Sequence, residues 1–130
     1  MAFIDYNTRF SDDQAVTTSA ASTYYLDGLA AGDAIDSGIY LIVEVGTAFV
    51  GGTSLEISWQ TSTSSAFTTY TTLFDSGAIA LASLTANTIL VKVPFPLGQL
   101  QYNRLYYTVV GTMTAGTVSA FLQCGVVVTV

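Results

Sequence analysis

The chain contains the stretch Leu55-Glu56-Ile57-Ser58-Trp59-Gln60, in which apolar and polar side chains alternate at every position. A period of two is typical of a β-strand that packs one face on a core and turns the other toward solvent. Residues 89–93 repeat the alternation, and residues 39–45 form a nearly continuous apolar run of the kind found in strands buried on both faces. No stretch of about 11 or more residues has a convincing helical period. The sequence therefore predicts an all-β protein.

Turn-forming residues separate the predicted strands. Gly77 and Gly111 each end a stretch rich in β-branched or aromatic residues, and Pro94 with Pro96 closes the strand that begins near residue 89. This spacing of turn residues predicts about eight short strands. That number suits a β-sandwich of immunoglobulin or jelly-roll type or a small barrel. A true immunoglobulin domain needs a Cys...Trp...Cys spacing, whereas this chain has one cysteine, Cys124.

The 130 residues fit a single domain, which we predict to be one β-sandwich over residues 1–130. The hydrophobic pattern is weak near the start, so residues 1–20 are compatible with an extended arm. Charged residues make up 9% of the chain, against about 25% in typical domains. So few charges solvate a large monomeric surface poorly, which predicts that copies of the chain or a partner cover part of it.

Residues able to do chemistry are scarce. The chain has no histidine, the usual general base of serine and cysteine hydrolases, and its one cysteine cannot form an intrachain disulfide or supply a zinc site. The net charge of -6, with three scattered basic residues, offers no basic stripe to phosphates. The apolar blocks are far shorter than the roughly 20 residues of a membrane-spanning helix. We therefore predict that the protein is not an enzyme, uses no cofactor or metal, and binds neither nucleic acid nor membrane.

Two local carboxylate clusters are the candidates for a calcium site or a glycosidase pair. They are Asp12 with Asp13 and Asp33 with Asp36. Neither has the ligand spacing of an EF-hand loop, so solvated turn or cap residues are the favoured interpretation.

Aromatic residues and one arginine are the candidate recognition residues. Trp59 shares the apolar positions of its strand, which favours core packing over a sugar-stacking platform. Tyr106 and Tyr107 point to opposite faces of one strand, so one of them faces outward or meets a second layer. Arg104, just before that strand, suits a bidentate contact across an interface, and a surface arginine lying along the protein is the equal alternative.

Several segments in order resemble the jelly-roll capsid cement (decoration) proteins of tailed bacteriophages. Together they span most of the chain, from about residue 10 to residue 120. The segments are Phe10-Ser11-Asp12-Asp13-Gln14-Ala15-Val16-Thr17, Leu55-Glu56-Ile57-Ser58-Trp59-Gln60-Thr61-Ser62 with Ala66-Phe67, Asp75-Ser76-Gly77-Ala78-Ile79, Arg104-Leu105-Tyr106-Tyr107-Thr108-Val109 and Thr114-Ala115-Gly116-Thr117-Val118-Ser119-Ala120.

The resemblance implies a β-sandwich of jelly-roll type with about eight strands. It also implies a structural virion protein, made in the host cytoplasm, that forms a homotrimer on the outer surface of the capsid. There it would stabilise contacts between subunits of the major capsid protein, and no catalytic residues would be needed. The candidate interface residues are Phe3, Ile4, Tyr24, Tyr25, Arg104 and Tyr106.

A second functional class stays open from the sequence. The chain would then be a non-catalytic carbohydrate-binding or receptor-binding sandwich of a phage tail. Tyr24, Tyr25 or Trp59 would be the stacking platform of such a module.

Overall fold

The computed structural model describes residues 9–27, 39–94 and 100–124, and these residues form eleven β-strands and one short 3-10 turn at Leu81–Ser83. The strands are β1 (Arg9–Ala15), β2 (Ala20–Ala21), β3 (Leu26–Asp27), β4 (Ile39–Val45), β5 (Val50–Gly51), β6 (Ser54–Ser62), β7 (Thr71–Ala80), β8 (Ile89–Pro94), β9 (Tyr102–Val110), β10 (Met113–Ala115) and β11 (Thr117–Cys124).

Two antiparallel sheets form the body of the fold. The first has the order β1-β11-β4-β8, and the second has the order β2-β9-β6-β7, with β3 also paired to β9. Strands β2 and β3 follow one another along β9 and act as one interrupted strand. The short strands β5 and β10 form a separate ribbon.

The strand order identifies the topology. With β2 and β3 counted together and the β5–β10 ribbon set aside, eight principal strands remain. The first pairs with the last, the second with the seventh, the third with the sixth and the fourth with the fifth. This nested pairing, rolled into two facing sheets, is the jelly roll. The predicted all-β class and jelly-roll sandwich are thus confirmed.

The core lies between the inner faces of the two sheets. Leu55, Ile57 and Trp59 of β6 are all fully buried, as their alternation with polar residues predicts. The edge of the Phe10 ring from the first sheet meets the Trp59 ring at a centroid distance of 5.1 Å. The indole N–H of Trp59 donates to Oδ1 of Asn103 at 3.0 Å, which satisfies the one polar group that this ring buries. The interpretation of Trp59 as a core residue is confirmed.

The two sheets are also joined by a buried polar contact. Tyr107 points into the core, and its hydroxyl lies 2.6 Å from Oγ of Ser11 on the opposite sheet. Ser11 Oγ also donates to Oε1 of Gln14 at 2.6 Å, so Tyr107 is the donor in the first contact. Burial raises the pKa of the Tyr107 phenol above its ordinary value, and the hydrogen bond with Ser11 opposes this shift only in part.

The start of the chain departs from the sequence prediction. Within the stretch 1–20, where the pattern was compatible with an extended arm, residues 9–15 form β1 and pair with β11. The arm prediction is wrong for this segment because Phe10 is fully buried in the core, which fixes the strand on the sandwich. Residues 1–8 lie outside the described residues.

Gly77 does not end its strand, although its residue type predicts a stop. Strand β7 continues through Gly77 to Ala80, and Ser76 and Gly77 together oppose the single residue Ile57 of β6. This is a β-bulge, and Gly77 occupies the left-handed position at φ 72° that glycine adopts without strain. The Ile57 N–H donates to Oγ of Ser76 at 3.0 Å, so the bulge keeps this backbone group satisfied.

Candidate interface on the outer face of the second sheet

The candidate site lies on the side of β6 and β9 that faces away from the core. Alternation places every second residue of these two strands on this outer face. Three cross-strand pairs run along it in parallel rows, which are Gln60 with Arg104, Ser58 with Tyr106 and Glu56 with Thr108. The face therefore carries a cation in one row and a carboxylate two rows away.

Arg104 is held in place by its neighbours Gln60, Phe67, Tyr70 and Tyr106. We call these residues, together with Arg104, the arginine cage. The Nε–H of Arg104 donates to Oε1 of Gln60 at 2.8 Å. Its guanidinium carbon lies 4.3 Å from the centroid of the Phe67 ring, 5.7 Å from that of Tyr106 and 6.0 Å from that of Tyr70. Aromatic faces attract a cation at these distances, so the guanidinium has a defined position before any partner arrives.

The charge of Arg104 has no counter-ion within the described part of the chain. In residues 9–27, 39–94 and 100–124 the one salt bridge joins Arg9 to Asp12 at 3.1 Å. Partial burial lowers the pKa of Arg104 and its neighbours Tyr70 and Tyr106 oppose this shift, yet an arginine stays protonated at neutral pH. The described residues accept a hydrogen bond from its Nε–H and from no other donor of this side chain. Among residues 9–27, 39–94 and 100–124, its terminal N–H groups therefore have no acceptor, and they are the donors that a bidentate carboxylate of a partner needs.

Phe67 completes the cage from the loop between β6 and β7. Its ring is 5% exposed even though it lies on the outer side of the sheet. Its backbone has φ 52°, a left-handed conformation that is strained for a residue with a side chain. The Phe67 N–H donates to the Ser64 carbonyl at 3.0 Å, and Oγ of Ser62 donates to the Thr69 carbonyl at 2.6 Å. These bonds fold the loop back so that Phe67 covers Arg104.

Two further tyrosines extend the cage into an aromatic surface. The Tyr25 ring meets Phe67 edge-on at 6.4 Å and Tyr102 at 5.6 Å between centroids. Tyr25 and Tyr70 are each 49% exposed, so this surface is open to a partner. Exposed tyrosines next to an arginine are typical of binding interfaces.

The structure brings together three of the sequence-predicted interface residues and separates the fourth. Arg104 and Tyr106 share the cage, and Tyr25 adjoins it. Tyr24 lies elsewhere, with its ring 4.2 Å below the guanidinium of Arg9. Phe3 and Ile4 lie outside the described residues.

Sequence reasoning missed Gln60, Phe67 and Tyr70 as partners of Arg104. Gln60 and Arg104 are 44 positions apart and become neighbours only through the register of β6 with β9. The position of Phe67 over the sheet depends on hydrogen bonds within its loop, which the sequence pattern does not reveal.

A carboxyl pair lies on the same outer face. Glu56 on β6 and Asp75 on β7 share a hydrogen bond, which together with burial and the charge of Asp75 raises the pKa of Glu56. The same bond lowers the pKa of Asp75, and the Gly77 N–H supports its charge by donating to Oδ1 at 2.8 Å. No sequence pattern indicates this pair, because it joins two strands across the bulge.

The carboxylate clusters considered from the sequence have different roles. Asp12 binds Arg9, and Oδ1 of Asp13 accepts a hydrogen bond from the Thr117 hydroxyl at 2.7 Å, so both act as local structural contacts. Asp33 and Asp36 lie outside the described residues. Over the described ranges, no three His, Cys, Asp or Glu residues lie close enough together to hold a metal ion.

The proposed stacking role of Trp59 is wrong because the ring is fully buried. Tyr24 and Tyr25 keep exposed ring surface and stay available for that role. Among the residues that the structure describes, no helix has the length and hydrophobicity needed to cross a membrane.

Comparisons with known proteins place the chain in a family. No curated protein matches it. The model of the phage-related family Bbp16 matches residues 10–122, which include every strand from Phe10 of β1 to Leu122 of β11. The matched region contains both sheets, the arginine cage and the Glu56–Asp75 pair. The chain belongs to the Bbp16 family.

Proposed function

We propose that the protein is a structural virion protein that binds the outer surface of a phage head and stabilises contacts between major capsid protein subunits. The observation that supports the proposal is the arginine cage, because it presents a cation in a fixed position. A guanidinium held by three aromatic rings and one amide is prepared for an anionic partner. The jelly roll and the phage-related family support the same role.

The composition supports assembly rather than a free monomer. With 9% charged residues, the chain gains from covering its surface with copies of itself or with capsid subunits. Many copies that each make a modest contact stabilise a shell strongly, because attachment at one point raises the effective concentration at the next. The resemblance implies a homotrimer, and the net charge of -6 makes the DNA-filled interior an unfavourable place for it.

Co-sedimentation with shells tests the proposal. Purified protein is mixed with expanded empty heads of the phage that encodes it, and the pellet is assayed for bound protein over a range of concentrations. We expect saturable binding with a fixed number of copies per shell. Unexpanded shells provide the control for trapping in the pellet. Protein that stays in the supernatant at every concentration would contradict the cement role.

A second function is supported by a specific observation, the exposure of Tyr25 and Tyr70 beside the cage. Open tyrosine rings next to an arginine also suit a carbohydrate or a receptor bound by a tail protein. A glycan-binding screen with the wild-type protein and Tyr25→Ala separates the two functions. Binding that Tyr25→Ala abolishes would support the tail module, and no binding in the screen would leave the cement role as the better explanation.

A further inference from the structure

The guanidinium of Arg104 has two pairs of parallel N–H donors, and its own chain engages one of them. The side pair consists of Nε and one Nη, and the end pair consists of the two Nη atoms. Oε1 of Gln60 accepts from Nε at 2.8 Å, which takes up the side pair. Within the described part of the chain, no group accepts a hydrogen bond from the end pair. A bidentate partner therefore approaches Arg104 end-on.

The aromatic rings of the cage restrict the approach further. The guanidinium carbon lies over the Phe67 ring, 4.3 Å from its centroid, so this buried ring shields the guanidinium on one side. Tyr70 lies farther out, with its centroid 6.0 Å from the same carbon, and its side chain is 49% exposed. A group that binds the end of Arg104 is therefore close to an open tyrosine ring.

The single charge of the cage matches a carboxylate better than a phosphate. The other described cations lie elsewhere, with Arg9 beside Asp12 at 3.1 Å and Lys92 on β8 of the other sheet. A phosphate group carries nearly two negative charges at neutral pH, and its sites gather several cations or converging backbone N–H groups. A carboxylate carries one charge on two coplanar oxygens, which fit the end pair of one guanidinium.

Arg104 is also ordered before a partner binds. Gln60, which holds its Nε, is buried and lies opposite Arg104 in the register of β6 with β9. The position of the guanidinium is thus fixed by the sheet and by the Phe67 ring. A long side chain that is already ordered loses little conformational entropy on binding, and arginine and tyrosine are the residues that dominate many protein interfaces.

We propose that the end pair of Arg104 binds the side-chain carboxylate of an aspartate or glutamate on a partner protein, and that the partner's next apolar or aromatic residue packs on Tyr70. The carboxylate oxygens accept from the two Nη groups, and the adjacent side chain covers the exposed ring. The inference rests on the proposed function for the identity of the partner, which is then the major capsid protein. The class of ligand rests on the cage alone.

A peptide titration followed by NMR tests the class of ligand on the free protein. The probe is a blocked tetrapeptide with one aspartate followed by one phenylalanine, and the control peptide has asparagine in place of the aspartate. Arg9 and Arg104 are the two arginines of the chain, so few side-chain N–H signals need assignment. We expect the aspartate peptide to shift the signals of Arg104 and not those of Arg9, with a dissociation constant in the millimolar range. The asparagine peptide should bind at least about fivefold more weakly, because it lacks the charge.

Variants separate the contributions of the paired donors and of the ring. Arg104→Lys keeps the charge but not the two parallel donors, so it should bind the aspartate peptide at least about fivefold more weakly. Tyr70→Ala should weaken binding of this peptide more than binding of a peptide with alanine after the aspartate. Lys92→Gln removes a charge from the other sheet and should bind like the wild-type protein. Fluorescence of the buried Trp59 reports whether each variant is folded.

Four results would overturn the inference. They are Arg104 signals that no peptide concentration shifts, equal binding of the asparagine peptide, equal binding by folded Arg104→Lys, and binding of inorganic phosphate or glucuronic acid at least as tight as that of the peptide. The last result would assign the cage to a phosphate or to an acidic sugar. The comparisons among probes use the wild-type protein, so they hold even if changes at Arg104 impair folding.

Shell binding separates this inference from the proposed function. Shells that bind the wild-type protein and Arg104→Gln equally well would show that the cage is not the capsid contact, and the cement role would stand. Shells that bind neither protein would refute the cement role and leave the result of the peptide titration intact. Shells that bind the wild-type protein at least about tenfold more tightly than Arg104→Gln would support both.

Discussion

Replacement of Phe67 should reverse the usual stability order of alanine and glycine variants. The Phe67 ring is 5% exposed and lies on Arg104 and Tyr25, while its backbone is left-handed at φ 52°. Phe67→Ala removes the ring but keeps the strained backbone of a residue with a Cβ atom. Phe67→Gly removes both.

The magnitudes follow from these two contributions. Loss of a buried phenylalanine ring costs about 3 kcal/mol of unfolding free energy, which both variants should lose. A left-handed conformation costs an L-residue roughly 1–2 kcal/mol, and glycine gives back about 0.4–1 kcal/mol through its more flexible unfolded state. Phe67→Gly should therefore be about 0.5–1 kcal/mol more stable than Phe67→Ala.

Urea unfolding followed by the fluorescence of Trp59, the single tryptophan, measures this difference. Phe121 is the matched control, since it is 1% exposed and lies in the extended strand β11. There Phe121→Gly should be about 1 kcal/mol less stable than Phe121→Ala, because glycine weakens a strand interior. If the glycine variant were less stable than the alanine variant at Phe67 as well as at Phe121, the left-handed conformation of the loop that positions the cage would be refuted.

Two further predictions concern a pair of glycines and the buried Tyr107. Gly77→Ala should lower the free energy of unfolding by about 1 kcal/mol, since Gly77 has φ 72° and open space around it. Gly116→Ala should lower it by about 3 kcal/mol, because the new Cβ would lie 2.4 Å from Cδ2 of Phe49. Equal shifts of the two variants in thermal unfolding would contradict this. Because the pKa of Tyr107 is raised in the folded protein, its phenol ionises more readily in the unfolded chain. The free energy of unfolding should therefore keep its full value below about pH 10 and fall above it by up to about 1.4 kcal/mol per pH unit. Tyr107→Phe should lose about 1 kcal/mol at pH 7 with its bond to Ser11 and should lack this alkaline decline, so parallel urea midpoints from pH 8 to 11 would contradict the assignment.

The fold was largely predictable because its main signal is local. The alternation around Trp59 assigns one face of β6 to the core, and the adjacent Tyr106 and Tyr107 divide between the outer face and the core as alternation requires. Strand β1 could not be predicted, because Asp12 and Asp13 interrupt the apolar pattern that would indicate a strand. It is held instead by pairing with β11 and by burial of Phe10. That pairing joins the two ends of the described chain.

The site was predictable only in part. Arg104 and Tyr106 could be chosen from the sequence because both belong to one strand. The contacts that define the cage come from sheet register, which joins Gln60 to Arg104, and from a strained loop that carries Phe67 back over the sheet. The Glu56–Asp75 pair needs both the register and the bulge at Gly77. Such non-local geometry leaves no periodic signal in one sequence.

The most direct test of the cement role is the heat stability of DNA-filled heads with and without the protein. Heads that lack it are incubated with the purified wild-type chain, and DNA release is followed by a dye during heating. We expect saturating protein to raise the temperature of DNA release above that of heads incubated with buffer alone. Bound protein that leaves the release temperature unchanged would contradict the central claim that this chain stabilises the shell.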